Sequence, residues 1–184
     1  MNAQEAAQQV LKKFSAASSH EFRGEHTVTT SLDELRAVME FCFNELGLNF
    51  LIDASSVDNM GSEPRFEMVY ELATVDDSVH LRIKAAVAED EEVPTVSDLW
   101  ATADWHEREI YDMMGIRFAG HPDLRRILMW EGYPFHPLRK EFPLAGKPSE
   151  MPDVASTGVA PLEGGPFVTS SGADSRVKAE PRAR

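Results

Sequence analysis

The residues of this chain best suited to chemistry crowd into one stretch, His106-Glu107-Arg108-Glu109 with Asp112 and His121, trailed by Arg125 and Arg126. Carboxylates beside histidines can serve as general acid and base, or can hold a cation. The spacing argues against both uses. His106-Glu107-Arg108-Glu109-Ile110 lacks the second histidine of the His-Glu-x-x-His zinc-protease pattern, because position 110 is isoleucine. Glu109 and Asp112 lie three apart on one helix face and can hold a hard cation. Such pairs more often make a solvated face, and two nearby arginines favour ion pairing over metal binding. A free-standing metal-dependent hydrolase using Glu109, Asp112 and His121 is the weaker alternative, and it requires bound metal.

The element that must position these groups is an amphipathic helix. At 100° per residue, Leu99, Ala103, Glu107, Ile110 and Met114 fall on one stripe. Glu107 is therefore expected on the apolar side, with Glu109 and Asp112 pointing away. A carboxylate on an apolar stripe is costly unless a cation or several donors meet it. Arg125 and Arg126, just past the Gly115–Gly120 connector, are the nearest cations, so at least one is expected to pair with Glu107. Pro94 and Thr95 are expected to start this helix, with Thr95 and Asp98 in a capping-box relation. A break near Ala101–Thr102 is compatible with the pattern, since Thr102 can cap a second helix.

Upstream, Ala3–Ala17 reads as a helix, Glu25–Thr30 as a short strand, and Ser31 with Glu34 as the capped start of a strong helix. Leu32, Leu35, Val38, Met39, Cys42 and Leu46 form its apolar face, and Gly47 suits its C-terminal stop. Phe50–Val57 is a candidate strand. Arg65–Thr74 and Val79–Ala88 alternate as a hairpin, which sets Glu67 and Glu71 opposite Arg82 and Lys84 on the outer face. The fold class expected is α+β, a small mainly antiparallel sheet packed against helices. Beyond Leu144 the chain turns rich in proline and glycine and keeps one aromatic, Phe167. The domain expected is therefore 1–144, followed by an extended or disordered partner-wrapping tail over 145–184.

Composition excludes several classes. A net charge of −13 argues against nucleic acid and against adhesion to anionic lipid. A single cysteine, Cys42, reads as a small buried hydrophobe and cannot ligate an iron–sulfur cluster alone. One thiol fits a reducing cytoplasm. The N-terminus lacks the apolar core of a signal peptide, and no stretch approaches eighteen apolar residues, so any membrane link is expected through partners. There is no Gly-x-Gly-x-x-Gly, no phosphate loop and no cysteine cluster, so neither metal nor redox cofactor is expected in this chain.

The stretch Glu107-Arg108-Glu109, Asp112-Met113-Met114, His121, Arg125 and Ile127-Leu128 resembles the signature of the C subunit, the thirty-kilodalton subunit, of proton-translocating NADH:quinone oxidoreductase, respiratory complex I. The likeness continues through Gly120–Leu128 and again in His136-Pro137-Leu138-Arg139-Lys140, which makes it far more specific than one short motif. It implies a cofactor-free structural subunit of the peripheral arm. FMN, iron–sulfur clusters and the quinone site would belong to partners. Those implied are chiefly the D subunit and also B and I, on the cytoplasmic side of the bacterial inner membrane. It implies structural or interface roles for Glu107, Arg108, Glu109, Asp112, His121, Arg125, Arg126, His136, Arg139 and Lys140. The corresponding subunit of a related hydrogenase or ferredoxin-linked complex shares the motif and stands as the alternative. His121, Arg125, Arg126, His136, Arg139 and Lys140, beside Trp130, Tyr133, Phe135 and Phe142, carry the residue types of a docking surface.

Overall fold

The computed structural model describes residues 1–76 and 78–144; the expected tail over 145–184 lies outside them. Helix α1 (Ala3–Lys13) opens with a capping box in which Asn2 accepts from the Glu5 amide at 2.8 Å and Glu5 accepts from the Asn2 amide at 3.0 Å. It is followed by β1 (Ser18–Phe22), β2 (Glu25–Thr30) and α2 (Leu32–Asn44). Ser31 caps α2 by accepting from the Glu34 amide at 3.3 Å, and Gly47 takes φ +68 beyond its end, as expected. The chain then forms β3 (Phe50–Asp58), β4 (Phe66–Ala73), β5 (His80–Val87), β6 (Glu92–Pro94), α3 (Ala103–Met114) and β7 (Arg117–Ala119).

Five strands make one sheet in the order β1-β2-β5-β4-β3, in which only β2 and β5 run parallel. The alternation along β4 and β5 divides the two faces. Phe66, Met68, Tyr70 and Leu72 join Leu81, Ile83, Ala85 and Val87 in the core beneath the helices. The other face carries Lys84 paired to Glu67 at 2.7 Å, and Arg82 paired to Glu71. These are the cross-strand pairs that the alternation implied. Helices α1 and α2 pack on β2 and β5, and α3 packs on β3, the last strand of the sheet. The architecture is α+β, as expected.

Two expectations fail ahead of α3. No helix begins at Pro94 or Thr95. Residues 92–94 form β6, parallel to β7 through Val93 opposite Phe118, and a single turn follows, with the Trp100 amide bonded to the Val96 carbonyl at 3.0 Å. Thr102 precedes α3 but makes no side-chain cap. The reason is tertiary. Pairing with β7 holds the chain extended through Pro94, and the Thr95 hydroxyl is already committed to a side chain of α3.

Candidate functional site

Because β6 and β7 flank α3 in sequence and pair in space, the turn after β6 is folded against the middle of the helix. Glu107 is fully buried there, on the apolar side as the stripe requires. Its carboxylate accepts from the Thr95 hydroxyl at 2.5 Å and from the Val96 amide at 2.8 Å. Neither arginine reaches it, contrary to the expected pairing. The basic side chain beside it is His121, with Nε2 3.8 Å from Glu107 Oε2 and 3.1 Å from Asp104 Oδ1. His121 Nδ1 accepts from the Asp123 amide at 3.0 Å, which leaves Nε2 to donate to the Asp104 carbonyl at 3.2 Å. Burial pushes the Glu107 carboxyl above its ordinary range, against the Thr95 and Val96 hydrogen bonds that favour the charge.

Asp112 does not point away into solvent. It is fully buried, on a second covered face of α3. Oδ2 accepts from three successive amides, Ile127 at 3.1 Å, Leu128 at 2.7 Å and Met129 at 2.8 Å, while Oδ1 meets the Arg126 guanidinium at 2.5 Å. Burial opposes the charge, but these donors outweigh it and hold the Asp112 carboxyl below the usual range. One turn earlier, Arg108 donates to the carbonyls of Arg125 at 3.3 Å and Arg126 at 3.4 Å, with its guanidinium 5.3 Å from the Trp105 ring. The segment after β7 thus lies along the Arg108–Asp112 face. The helix's own pattern gave no sign of this cover, because polar side chains seat it.

The same segment closes the end of α3. A helix leaves its last carbonyls unsatisfied and its C-terminus negative. Here Arg126 and His136 reach the Asp112 carbonyl at 3.1 and 3.0 Å. The Leu138 amide bonds the Met113 carbonyl at 3.1 Å, and Arg139 bonds the Met114 carbonyl at 2.6 Å. Gly115 turns the chain with φ +80, and a Cβ there would sit 2.7 Å from His136 Nε2 and 2.8 Å from Arg139 Nη2. Burial, with the nearby Arg139 and Arg126 charges, moves the His136 ring below its ordinary value.

A third buried acid, Asp58, escaped the sequence reading. It accepts from Arg65 at 2.8 and 2.9 Å and from the Lys140 amide at 2.8 Å. Arg65 also pairs with Glu89 and Glu141, and Arg139 pairs with Glu89 at 2.8 Å. Arg65 and Arg139 hold the Asp58 carboxyl below its usual range against burial. The only signal in the sequence was a short loop with Asp58 and Arg65 at its two ends, and its meaning depends on Lys140, 82 positions away.

Of the ten residues singled out, Glu107, Arg108, Asp112, His121, Arg126, His136 and Arg139 converge on α3 and its ends. Arg125 is exposed and, among the described residues, its side chain pairs only with Asp123, at 2.9 Å. Lys140 is exposed and contributes its backbone amide. Glu109 is exposed, Asp112 is enclosed and His121 faces Asp104 and Glu107, so the three groups of the hydrolase reading do not meet. Among the described residues no group of three His, Cys, Asp or Glu side chains is placed to hold a metal. What the arrangement does chemically is neutralise its own charges. The aromatics close over the result, with Trp130 and Tyr133 rings 4.5 Å apart and Arg126 lying 5.7 Å from Tyr133.

Residues 28–148 match the family described as Respiratory-chain NADH dehydrogenase, 30 Kd subunit. The chain is 47% identical over 131 residues to the C subunit of NADH-quinone oxidoreductase from Geotalea uraniireducens (strain Rf4), covering 71% of this chain and 80% of the relative. It is 44% identical over 143 residues to the same subunit from Geobacter sulfurreducens (strain ATCC 51573 / DSM 12127 / PCA), covering 76% and 88%. Its fold resembles a chain of the membrane-bound sulfane sulfur reductase, an archaeal respiratory membrane complex, with TM-score 0.63 and 24% identity over 77% of this chain and 85% of that one. The likeness of sequence runs through the α3 clamp and the segment that closes it, and on that evidence the chain belongs to the family of the 30 Kd subunit of respiratory-chain NADH dehydrogenase.

Proposed function

We propose that the protein is a cofactor-free structural subunit of the peripheral arm of a proton-translocating NADH:quinone oxidoreductase. In this reading it helps assemble the quinone-reducing module, and it packs chiefly on the D subunit with B and I nearby. In the complex, electrons pass from NADH through FMN and iron–sulfur centres held by other subunits. The chain reaches the cytoplasmic side of the bacterial inner membrane only through them; among the described residues no helix is long and apolar enough to cross a membrane.

One observation carries the structural part. The two buried carboxylates of α3 are answered by the chain's own amides, a hydroxyl and Arg126. Groups so engaged hold a backbone in place, whereas a catalytic acid or base must face a reacting atom. The relatives at 44–47% identity, named as the C subunit of NADH-quinone oxidoreductase, favour that complex over the hydrogenase or ferredoxin-linked alternative.

Affinity-tagged chain, recovered from membranes in mild detergent, tests the reading. It should bring down an assembly that oxidises NADH with quinone, while the purified chain alone shows no turnover. Turnover by the isolated chain, or recovery of the chain without such an assembly, refutes it.

A further inference from the structure

The sheet ends on an open strand. β3 pairs with β4 on one side and, among the described residues, with no strand on the other. It is 9 residues long, and Phe50, Ile52 and Val57 stand exposed along it. A long edge with apolar side chains is usually blunted, because its free amides and carbonyls invite another strand. The bulge between Leu51 and Asp53 breaks only its start, and the register with β4 is continuous from Asp53 to Asp58.

Beside this edge runs a cavity of about 200 Å3 lined by all of 53–56. Consecutive strand residues point to opposite faces, so a cavity lined by each of them has backbone as well as side chains of β3 in its wall. Its far wall is α3, where Ile110 and Met113, with Leu138 beyond, supply apolar surface. The charged groups around it are Asp53 and Glu109, against a single histidine, His106, whose Nδ1 lies 3.4 Å from Asp53 Oδ1. Glu109 is exposed and makes no ion pair among the described residues. The groove is therefore negative, in a chain of net charge −13. Strand addition draws affinity from main-chain hydrogen bonds and specificity from side-chain sites of this kind.

We propose that the open edge of β3 receives an extended segment of another subunit as a sixth strand. That segment sets apolar side chains on Ile110, Met113 and Leu138 and a Lys or Arg beside Asp53 and Glu109. The proposal deepens the assembly reading above and rests on it.

The test places benzoylphenylalanine at position 55 of the full-length chain, assembled in cells, and irradiates the membranes in mild detergent. The expected result is a cross-link to a peptide of another subunit in which a Lys or Arg adjoins apolar residues. Asp53→Lys combined with Glu109→Lys should lower both that cross-link and the chain's share in the complex by about tenfold or more. The isolated variant should unfold at the wild-type temperature. Cross-links only to residues 145–184, only to a second copy of this chain, or none at all, while the chain co-purifies with the complex, overturn strand addition and leave the assembly reading standing. A wild-type chain that does not co-purify defeats the assembly reading and this inference with it.

Discussion

Arg126 holds Asp112 twice: its Nη1 meets the carboxylate at 2.5 Å and the carbonyl of the same residue at 3.1 Å. One guanidinium thereby neutralises a buried acid and caps the last turn of the helix that carries it. The pair binds the segment after β7 to α3, and the amides of 127–129 complete the enclosure.

Asp112→Ala should therefore be severe. It leaves Arg126 without its acid and three amides without an acceptor, a loss of about 3–5 kcal/mol. In a chain of this size that lowers Tm by roughly 10 °C. Asp112→Asn keeps an acceptor but not the charge and should cost about 1–2 kcal/mol. Calorimetric unfolding of both variants checks the ranking, and equal losses would show that charge is irrelevant at this position.

The two acids of α3 should respond to pH in opposite directions. Asp112 has its carboxyl lowered in the folded state, so its contribution is present above the ordinary aspartate value and is lost as pH falls below about 4. Glu107 is raised by burial, so its contribution is full below the ordinary glutamate value and declines as pH rises through the folded-state value. Glu107→Gln keeps an acceptor for the Val96 amide and should remove the decline at rising pH while leaving the acid limb unchanged. Denaturant midpoints measured across the acid, neutral and mildly alkaline range follow both limbs.

Glu107→Ala strands donors, not a cation, because Thr95 and Val96 are its partners. The expected loss is about 1–3 kcal/mol for the unpaired amide and hydroxyl, with the vacated volume added. Thr95→Val should reproduce the smaller part of it. An unchanged Tm for Glu107→Ala would contradict the enclosed geometry.

Gly115 and Gly120 offer an internal control. Both take positive φ, +80 and +81, but a Cβ at Gly120 meets only Thr95 Cγ2 at 3.5 Å, whereas one at Gly115 collides with His136 and Arg139. Gly120→Ala should cost about 1 kcal/mol of backbone strain. Gly115→Ala should cost that and more, because the two side chains capping α3 must move. Parity between the variants in urea unfolding would show that the cap yields freely.

Arg65 and Arg82 separate enclosed from open ion pairs. Arg65→Ala abandons the buried Asp58 and should cost about 3–5 kcal/mol. Arg82→Ala breaks pairs with the more open Glu71 and Glu25 and should cost less than about 1 kcal/mol. Added salt should blunt the second effect and leave the first largely intact.

What the amino-acid order determined by itself was a set of patterns that repeat over short distance. It set the alternation of β4 and β5 with their Glu67–Lys84 and Glu71–Arg82 pairs, the Ser31 cap, and the stripe that buries Glu107. Each depends on neighbours within a few residues or across one tight hairpin, where geometry is local. Only the tertiary structure decided which charge meets which. Arg126 goes to Asp112 because the chain returns along the polar face of α3. Thr95 goes to Glu107 because β6 pairs with β7, and Lys140 reaches Asp58 across the whole domain. A helix's periodicity records the cover its apolar residues need. It is silent about a second cover seated by hydrogen bonds to the backbone, since the groups that accept it are the ones expected to face water.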